Sequence, residues 1–379
     1  MKKFNFDFEM KKIIFFGLLI IVINYLYAYG SWALHEKKFY PFLNMWHKWD
    51  TISYVAIAKE GYEIIGDNKV RIVFLPFYPF LIKVFALIFK NYILSALIIS
   101  NLCYILALIF LYKLVKENFS EKIGFRSILY LSIFPTSYFL YAGYSESTFL
   151  FLAIASFYFA KKGKWLFALA FTSLAVLTKF FGVLLVPSLL IEYFIQRNFR
   201  LSKITKDIFY FSLPALSLLI YLFLNYQLFG NPFQFTIFMK EYWSKSLTWP
   251  HKGLAGLVDR INYMQANLSN LADVNEKLHV FTLGWAELSF VLFAFFLTLF
   301  FLNKKQNLSY FSYSFSNLLL VSSTDFCLSL PRYVLSVFPI FIALGVLAEK
   351  KFFHFLITII FVFFHGLFLY RFALGYWAF

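Results

Sequence analysis

The segment IIFFGLLIIVINYLYAYGSWAL, residues 13–34, decides the fold class because it contains no charged side chain. A helix of about 20 apolar residues crosses the roughly 30 Å hydrocarbon layer of a bilayer. The segment follows Lys11 and Lys12 and lacks a cleavage site flanked by small residues. We therefore expect a retained first membrane span and not a signal peptide.

The composition of the whole chain agrees with a membrane protein. Of 379 residues, 61% are hydrophobic and 14% are charged, whereas soluble domains carry about 25% charged residues. The net charge of +16 comes from Lys and Arg in short clusters between apolar runs, a pattern that sets orientation in a bilayer and does not indicate nucleic-acid binding. The sequence predicts an all-α polytopic protein in the lipid bilayer, with no nucleic-acid partner.

Apolar runs separated by basic or polar turns predict eleven transmembrane helices. The proposed spans are 13–33, 91–114, 124–141, 147–160, 164–180, 181–196, 207–229, 281–302, 308–330, 333–349 and 352–371. The segment 71–90 contains Pro76 and Pro79, and we expect it to lie in the membrane interface instead of crossing. No repeat or low-complexity linker divides the chain, so residues 1–379 are predicted to form one domain.

The distribution of basic residues predicts the orientation. With the N-terminus in the cytoplasm, the tight basic turns all fall on one side, at residues 2–12, 113–126, 161–164, 197–206, 304–305 and 350–351. This is the positive-inside pattern. The outer side then receives a first loop, 34–90, and a second large loop, 230–280, and we expect the functional site on this face.

The first outer loop contains WHKWD, residues 46–50, directly after the first span. A carboxylate at a membrane border is costly to desolvate and is a candidate for function. Asp50 would be able to accept a proton from an attacking hydroxyl group. The alternative is an interfacial aromatic belt with an incidental acid, because Trp is enriched at that depth.

Several motifs resemble one family. The pattern W-x-x-W-D-T-x-x-Y-x-x-I-A-x-x-G-Y and then FLPFYP in the first outer loop is similar to that of the PIG-V type mannosyltransferases and their prokaryotic relatives. Further matches follow in the same order, at residues 134–160, 174–192, 229–235, 240–243 and 331–341. The resemblance implies a GT-C glycosyltransferase fold, with interfacial helices in the first outer loop. It also implies a sugar donor linked to polyprenyl or dolichyl phosphate, with Asp50 as the catalytic base.

Candidate roles follow for the cations and aromatic residues of the outer face. Arg332 suits a lipid phosphate because its guanidinium group binds two oxygens at once, and Lys179 or Lys48 would support it. The alternative for Lys179 is a side chain that extends to the interface, and the relatives often carry Arg there. The predicted substrate-binding residues are Trp46, His47, Lys48, Trp49, Tyr54, Glu146, Lys179, Arg332 and Tyr333.

Two polar positions have structural alternatives. In YSES, Ser145 would cap the following helix with Glu146 in its first turn, or these residues would contact the sugar or support Asp50. Asp325 lies in an apolar run and needs a partner, either Arg332 or a hydroxyl group.

Metal and disulfide chemistry are not predicted. The histidines show no metal-binding spacing, and no cofactor is expected beyond the lipid-linked donor. Cys103 and Cys327 each lie inside an apolar run, where we expect free thiols.

The sequence therefore predicts an inverting hexosyltransferase, with mannose as the expected sugar. Its acceptor, a glycolipid, glycan or protein, is left open, and its location is the cell membrane if the host is prokaryotic. A transporter or flippase for lipid-linked sugars is the alternative, although it would place ionisable residues near the middle of the bilayer. A non-catalytic scaffold is a third reading, which the intact WHKWD and YSES elements disfavour.

Overall fold

A computed structural model of the chain describes residues 2–36, 41–266 and 273–379, with the side chains of 2–7 and 36 left undescribed. The secondary structure of these residues is almost entirely helical. The α-helices are α1 Lys2–Glu36, α2 Phe42–Trp46, α3 Asp50–Glu60, α4 Phe77–Phe89, α5 Tyr92–Asn118, α6 Glu121–Ile133, α7 Glu146–Lys161, α8 Trp165–Thr178, α9 Leu185–Gln196, α10 Ser212–Phe229, α11 Gln234–Trp243, α12 Pro250–Ala266, α13 Val274–Phe281, α14 Glu287–Thr298, α15 Leu308–Ser322, α16 Leu330–Leu335, α17 Pro339–Leu347 and α18 Lys351–Ala373.

Five helical segments are long and apolar enough to cross a membrane. They are Phe8–His35, Tyr92–Asn118, Lys206–Phe229, Val274–Asn303 and Lys351–Ala373. The pair Asp67–Val73 and Phe77–Phe89 bends by 106° and makes a sixth if it is counted as one span. The chain is thus an integral multi-pass membrane protein, but the predicted number of eleven spans is not confirmed.

The shorter apolar helices form the interior of the molecule. Helix α7 packs between α5 and α8, and α6 packs against α17. Phe149, Leu150 and Ala153 on α7 are fully buried, so the apolar sequence of this helix faces protein. Leu18 on α1 and Phe363 on α18 are exposed instead, as expected for positions that contact lipid.

Local sequence signals explain several helix boundaries. The Asn91 side chain accepts a hydrogen bond from Leu94 N at 2.9 Å and caps α5, and Ser120 caps α6 in the same way. Pro331 and Pro339 stand in the first turns of α16 and α17, where a missing N–H group costs little. The chain bends at residues 74–76, and Pro76 is the residue directly before α4.

The segment of residues 230–280 is attached to the end of α15. Leu247 pairs with Thr324 in a short antiparallel bridge, and Asp325 N donates to Ser246 O at 3.1 Å. Helix α12 crosses the same point at Gly253, where an added Cβ would lie 2.1 Å from Ser322 O. This attachment brings the loop against the segment that leads into α16.

Candidate active site

Asp50 stands in the first turn of α3, after a sharp change of chain direction. Trp49 has a φ of 54°, which few residues other than glycine adopt. The Asp50 carboxylate accepts a hydrogen bond from Arg332 Nη2 at 2.6 Å, and its side chain is 29% exposed. The carboxylate is therefore held by a cation and still accessible.

Arg332 also binds Glu146, the first residue of α7. Its Nε donates to Glu146 Oε1, and the same oxygen accepts from Lys179 Nζ at 2.6 Å. The Glu146 side chain is 0% exposed. Asp50, Arg332, Glu146 and Lys179, which we call the charge cluster, contain two acids and two cations, so their formal charges cancel.

Residues 139–144, directly before α7, contact the charge cluster and the helix that carries Asp50. The rings of Phe139 and Tyr144 lie 4.9 and 4.7 Å from the Arg332 guanidinium group, within the range of cation–π attraction. Thr51 Oγ1 donates to Gly143 O at 3.3 Å. Gly143 has a φ of 80°, and an added Cβ would lie 3.3 Å from Thr51 Cγ2, so glycine suits this contact.

The Ser145 side chain does not cap α7. Its Oγ lies 2.7 Å from the Tyr54 hydroxyl oxygen instead. Asp325 accepts a hydrogen bond from the Ser246 hydroxyl group, which matches one of the two partners that the sequence suggested.

A cavity of about 430 Å³ opens beside the charge cluster. Asp50, Lys179 and Arg332 reach it, and aromatic side chains form much of its wall: Trp49, Tyr54, Tyr144, Trp243, Tyr333 and Trp377. The rings of Trp49 and Trp377 meet edge to face, with centroids 5.7 Å apart. Aromatic walls with a few convergent polar groups are typical of small-molecule sites.

A second cavity of about 540 Å³ adjoins the first and is largely apolar. The two share a wall that includes Val73, Leu75, Phe181, Lys245 and Tyr333. Lys245 Nζ donates to the Tyr333 hydroxyl oxygen at 3.1 Å and to Leu328 O at 3.3 Å. The wall shared by the two cavities thus carries a lysine that donates hydrogen bonds to uncharged acceptors.

Three residues of WHKWD are not among those that line the first cavity. Trp46 is 0% exposed and packs on Tyr25 and Phe372. Lys48 Nζ donates to Phe372 O and Ala373 O, each at 3.0 Å, at the end of α18. Burial lowers the pKa of Lys48 to about 8, and burial also lowers the pKa of His47. Trp46 and Lys48 therefore attach the segment after α1 to the end of α18.

Lys245 and Glu287 were missed by the sequence analysis. Lys245 lies in an ordinary polar loop and Glu287 in an apolar helix, and only the fold brings both into contact with residues 328–333. The isolated charge of Glu287 in its apolar run was the one available signal. Across the described ranges, no group of three or more His, Cys, Asp or Glu side chains is arranged to hold a metal ion. Cys103 and Cys327 are free thiols, as predicted.

Comparison with known proteins supports this arrangement at the level of fold. The chain is similar to ArnT from Cupriavidus metallidurans bound to undecaprenyl phosphate, with 14% identity and a TM-score of 0.52 over 88% of this chain and 60% of that one. The fold is that of the GT-C glycosyltransferases. The chain also resembles the Archaeoglobus fulgidus oligosaccharyltransferase in complex with Zn and sulfate, with 14% identity and a TM-score of 0.50 over 94% of this chain and 53% of that one. The chain therefore spans less than two thirds of either protein.

One sequence family matches part of the chain. The profile of the dolichyl-phosphate-mannose-protein mannosyltransferases matches residues 75–226, which is less than half of the chain. No curated protein matches the sequence. The family match agrees with the expected enzyme class, a glycosyltransferase with a lipid-phosphate-linked donor, while the PIG-V subtype remains a hypothesis.

Proposed function

We propose that the chain is an inverting glycosyltransferase that moves a hexose, mannose first among them, from a polyprenyl or dolichyl phosphate to an acceptor hydroxyl group. The observation that carries this proposal is the accessible Asp50 carboxylate, bound to Arg332 at 2.6 Å in the wall of a cavity. The fold and the family match support it. ArnT was solved with undecaprenyl phosphate, a carrier of the proposed type.

The proposed step needs one base and one cationic site. The acceptor oxygen attacks the anomeric carbon, and its proton passes to Asp50. The bond from that carbon to the phosphate oxygen breaks, and the phosphate leaves with the electron pair. Positive charge near the departing oxygen lowers the barrier, and Arg332 and Lys179 are positioned to supply it.

The ion pair between Asp50 and Arg332 bears on this step. While the Asp50 carboxylate accepts a hydrogen bond from Arg332 at 2.6 Å, that oxygen is engaged and is not free to receive the acceptor proton. A phosphate in the cavity competes for Arg332 and loosens its hold on Asp50. The donor itself would thereby activate the base, and an empty site would keep it paired.

The adjoining cavities fit the two parts of such a donor. The largely apolar cavity suits an isoprenoid chain, and the cavity at the charge cluster suits a hexose between Trp49, Tyr54 and Tyr333. We place the phosphate at their junction, beside Lys245. We assign Trp46, His47 and Lys48 to support of the loop instead of to substrate contact.

We also propose that the site faces outward and that the chain acts as one domain. The turns of the basic side meet in the structure, since Lys161 Nζ binds Gln306 O at 2.8 Å and Lys162 pairs with Glu117. Asp50, Lys179, Lys245 and Arg332 gather around the cavity, on segments of the predicted outer side. Positive-inside topology then places the charge cluster opposite the cytoplasm. Residues 37–40 and 267–272 of the two outer loops lie outside the described residues.

The test is transfer by purified protein from short-chain polyprenyl phosphate mannose, with the glucose and galactose donors in parallel. Glycolipid, glycan and peptide acceptors are supplied separately, and products are identified by mass and anomeric configuration. We expect transfer with inversion by the wild type and its loss in Asp50→Asn. Retention of configuration, or a variant rate close to that of the wild type, would contradict the assignment of Asp50 as the base.

A further inference from the structure

We propose that Glu287 is a positioning residue of the site, which fixes the chain segment that presents Arg332 to Asp50 and to the donor phosphate. The inference rests on the proposed function insofar as Arg332 binds that phosphate. Glu287 itself lies in the wall of neither cavity described above, and acts through the backbone of residues 329 and 330.

The contacts of Glu287 are direct. Its side chain belongs to α14 and is fully buried. One carboxylate oxygen accepts a hydrogen bond from Ser329 N at 2.8 Å, and the other accepts from Leu330 N at 2.5 Å. Hydrogen bonds to an ionised acceptor are shorter and stronger than neutral ones. The two oxygens thus bind consecutive peptide N–H groups, three and two residues before Arg332.

The segment held by Glu287 needs outside support. Ser329 has a φ of 66°, a left-handed conformation that a residue with a Cβ seldom adopts. The helix that follows, α16, contains only six residues. Arg332 N and Tyr333 N both donate to Ser329 O at 3.1 Å. The backbone conformation of Ser329 therefore determines where α16 begins and where Arg332 lies.

Other charged side chains hold the two residues before Ser329. Arg260 Nη2 donates to Cys327 O at 2.7 Å, and Lys245 Nζ donates to Leu328 O at 3.3 Å. Backbone groups of residues 327–330 are thus bound by side chains from the second outer loop and from α14. Among Lys245, Arg260 and Glu287, Glu287 is the acid. It also lies in a helical segment that is long and apolar enough to cross the membrane.

The energetic cost of Glu287 indicates a role beyond closing a helix end. A carboxylate inside a membrane segment is expensive and is by default a candidate for function. The first N–H groups of a short helix are ordinarily bound by a Ser, Thr, Asp or Asn side chain next to them in sequence. Here a charge from another helix performs this task, which ties α14 to α16. A small rotation at Ser329 would move the guanidinium group away from Asp50.

The decisive comparison uses Glu287→Gln and a matched control, Glu192→Gln. Glutamine keeps one acceptor oxygen and turns an NH₂ group toward a peptide N–H group. Glu192 is also a buried acid, but it binds Lys161 and Ser309 away from the charge cluster. For each variant we would measure kcat and KM for the lipid-linked donor, thermal unfolding, and hydrogen exchange of residues 327–335.

We expect Glu287→Gln to raise the donor KM by about tenfold, in the range found when a group that orients a binding residue is removed. The amides of Ser329 and Leu330 should exchange faster. Glu192→Gln should change neither quantity. In an Arg332→Lys background, the effect of Glu287→Gln on KM should shrink, because the two changes act on one interaction.

An unchanged KM with a stability loss equal to that of Glu192→Gln would overturn the inference and leave a merely structural acid. If Glu287→Gln does not fold, Glu287→Asp keeps the charge on a shorter side chain, and its KM and amide exchange are judged by the same criteria. If the wild type transfers no sugar from any lipid donor, the proposed function fails. Faster amide exchange at Ser329 and Leu330 in Glu287→Gln would then still show that Glu287 stabilises this segment. Unchanged exchange would refute that role.

Discussion

Glu146 and Glu192 are both buried, with side-chain exposures of 0% and 3%, and each binds a lysine, at 2.6 and 2.7 Å. Glu192 completes its hydrogen bonds with the Ser309 hydroxyl group and the Gln196 amide. Glu146 instead shares Arg332 with a second acid, Asp50, which reaches a cavity. A buried ion pair therefore does not by itself mark an active site. The accessible Asp50 carboxylate distinguishes the charge cluster from the ion pair of Glu192.

The strongest test of this difference between the two buried acids is the substitution Asp50→Asn. We expect the transfer rate to fall by about 10³-fold, since a general base contributes roughly 10²–10⁴-fold, with little change in thermal unfolding. Initial rates at saturating donor and acceptor measure the effect. A variant that keeps more than a tenth of the wild-type rate would show that Asp50 is not the base.

Glu146→Gln should have the next largest effect. The change leaves Arg332 and Lys179 with one acid between them, and breaking a buried pair costs about 3–5 kcal/mol. We expect a transfer rate about 10²-fold lower together with reduced thermal stability, measured on the same preparation. A stable variant with normal activity would show that the charge cluster does not need Glu146 for sugar transfer.

Lys245→Met tests the junction of the two cavities. Methionine is unbranched and one atom shorter than lysine, so it keeps most of the side chain and removes its charge. We expect the donor KM to rise about tenfold with kcat nearly unchanged, because one charged hydrogen bond is worth about 1.5–3 kcal/mol. Lys240→Met, a lysine that lines only the apolar cavity of the two, is the matched control. Equal effects of the two changes would refute a specific phosphate contact.

Glu192→Gln should have the smallest effect on catalysis. It weakens the bond to Lys161, and neither residue lines either cavity, so we expect a lower midpoint of thermal unfolding and a transfer rate within about twofold of the wild type. Unfolding in detergent and initial rates measure the two quantities. A large rate loss at unchanged donor KM would mean that a buried acid affects transfer through the stability of the whole protein. The effect of Glu146→Gln would then not indicate a role in the charge cluster.

Much of the fold was predictable, and the reason is physical. The long uncharged runs at residues 13–34 and 92–112 predict helices of membrane length, which the structure contains. The predicted span 147–160 is shorter, and its apolar side chains on α7 are buried in protein. Hydrophobicity alone does not distinguish contact with lipid from contact with other helices. The number of spans was therefore the least predictable feature.

The sequence indicated which residues to consider for the candidate site, but it did not indicate which of them contact each other. Asp50 and Arg332 are 282 positions apart, and the motif resemblance identified both without indicating that they bind each other. The suggested pairing of Asp325 with Arg332 is not what the structure contains, because the Ser246 hydroxyl group is nearer. Lys48 belongs to the same motif as Asp50, but its reach to the α18 carbonyl groups depends on how distant helices pack.

The wall shared by the two cavities has a practical consequence for biochemical work. Surfactants used to extract the protein have alkyl tails of the same chemical character as an isoprenoid chain, so they should occupy the apolar cavity and act as competitive inhibitors. Apparent donor affinity should then worsen as micelle concentration rises and recover in nanodiscs. Kinetic constants from different solubilisation conditions would therefore need to be compared at matched surfactant load.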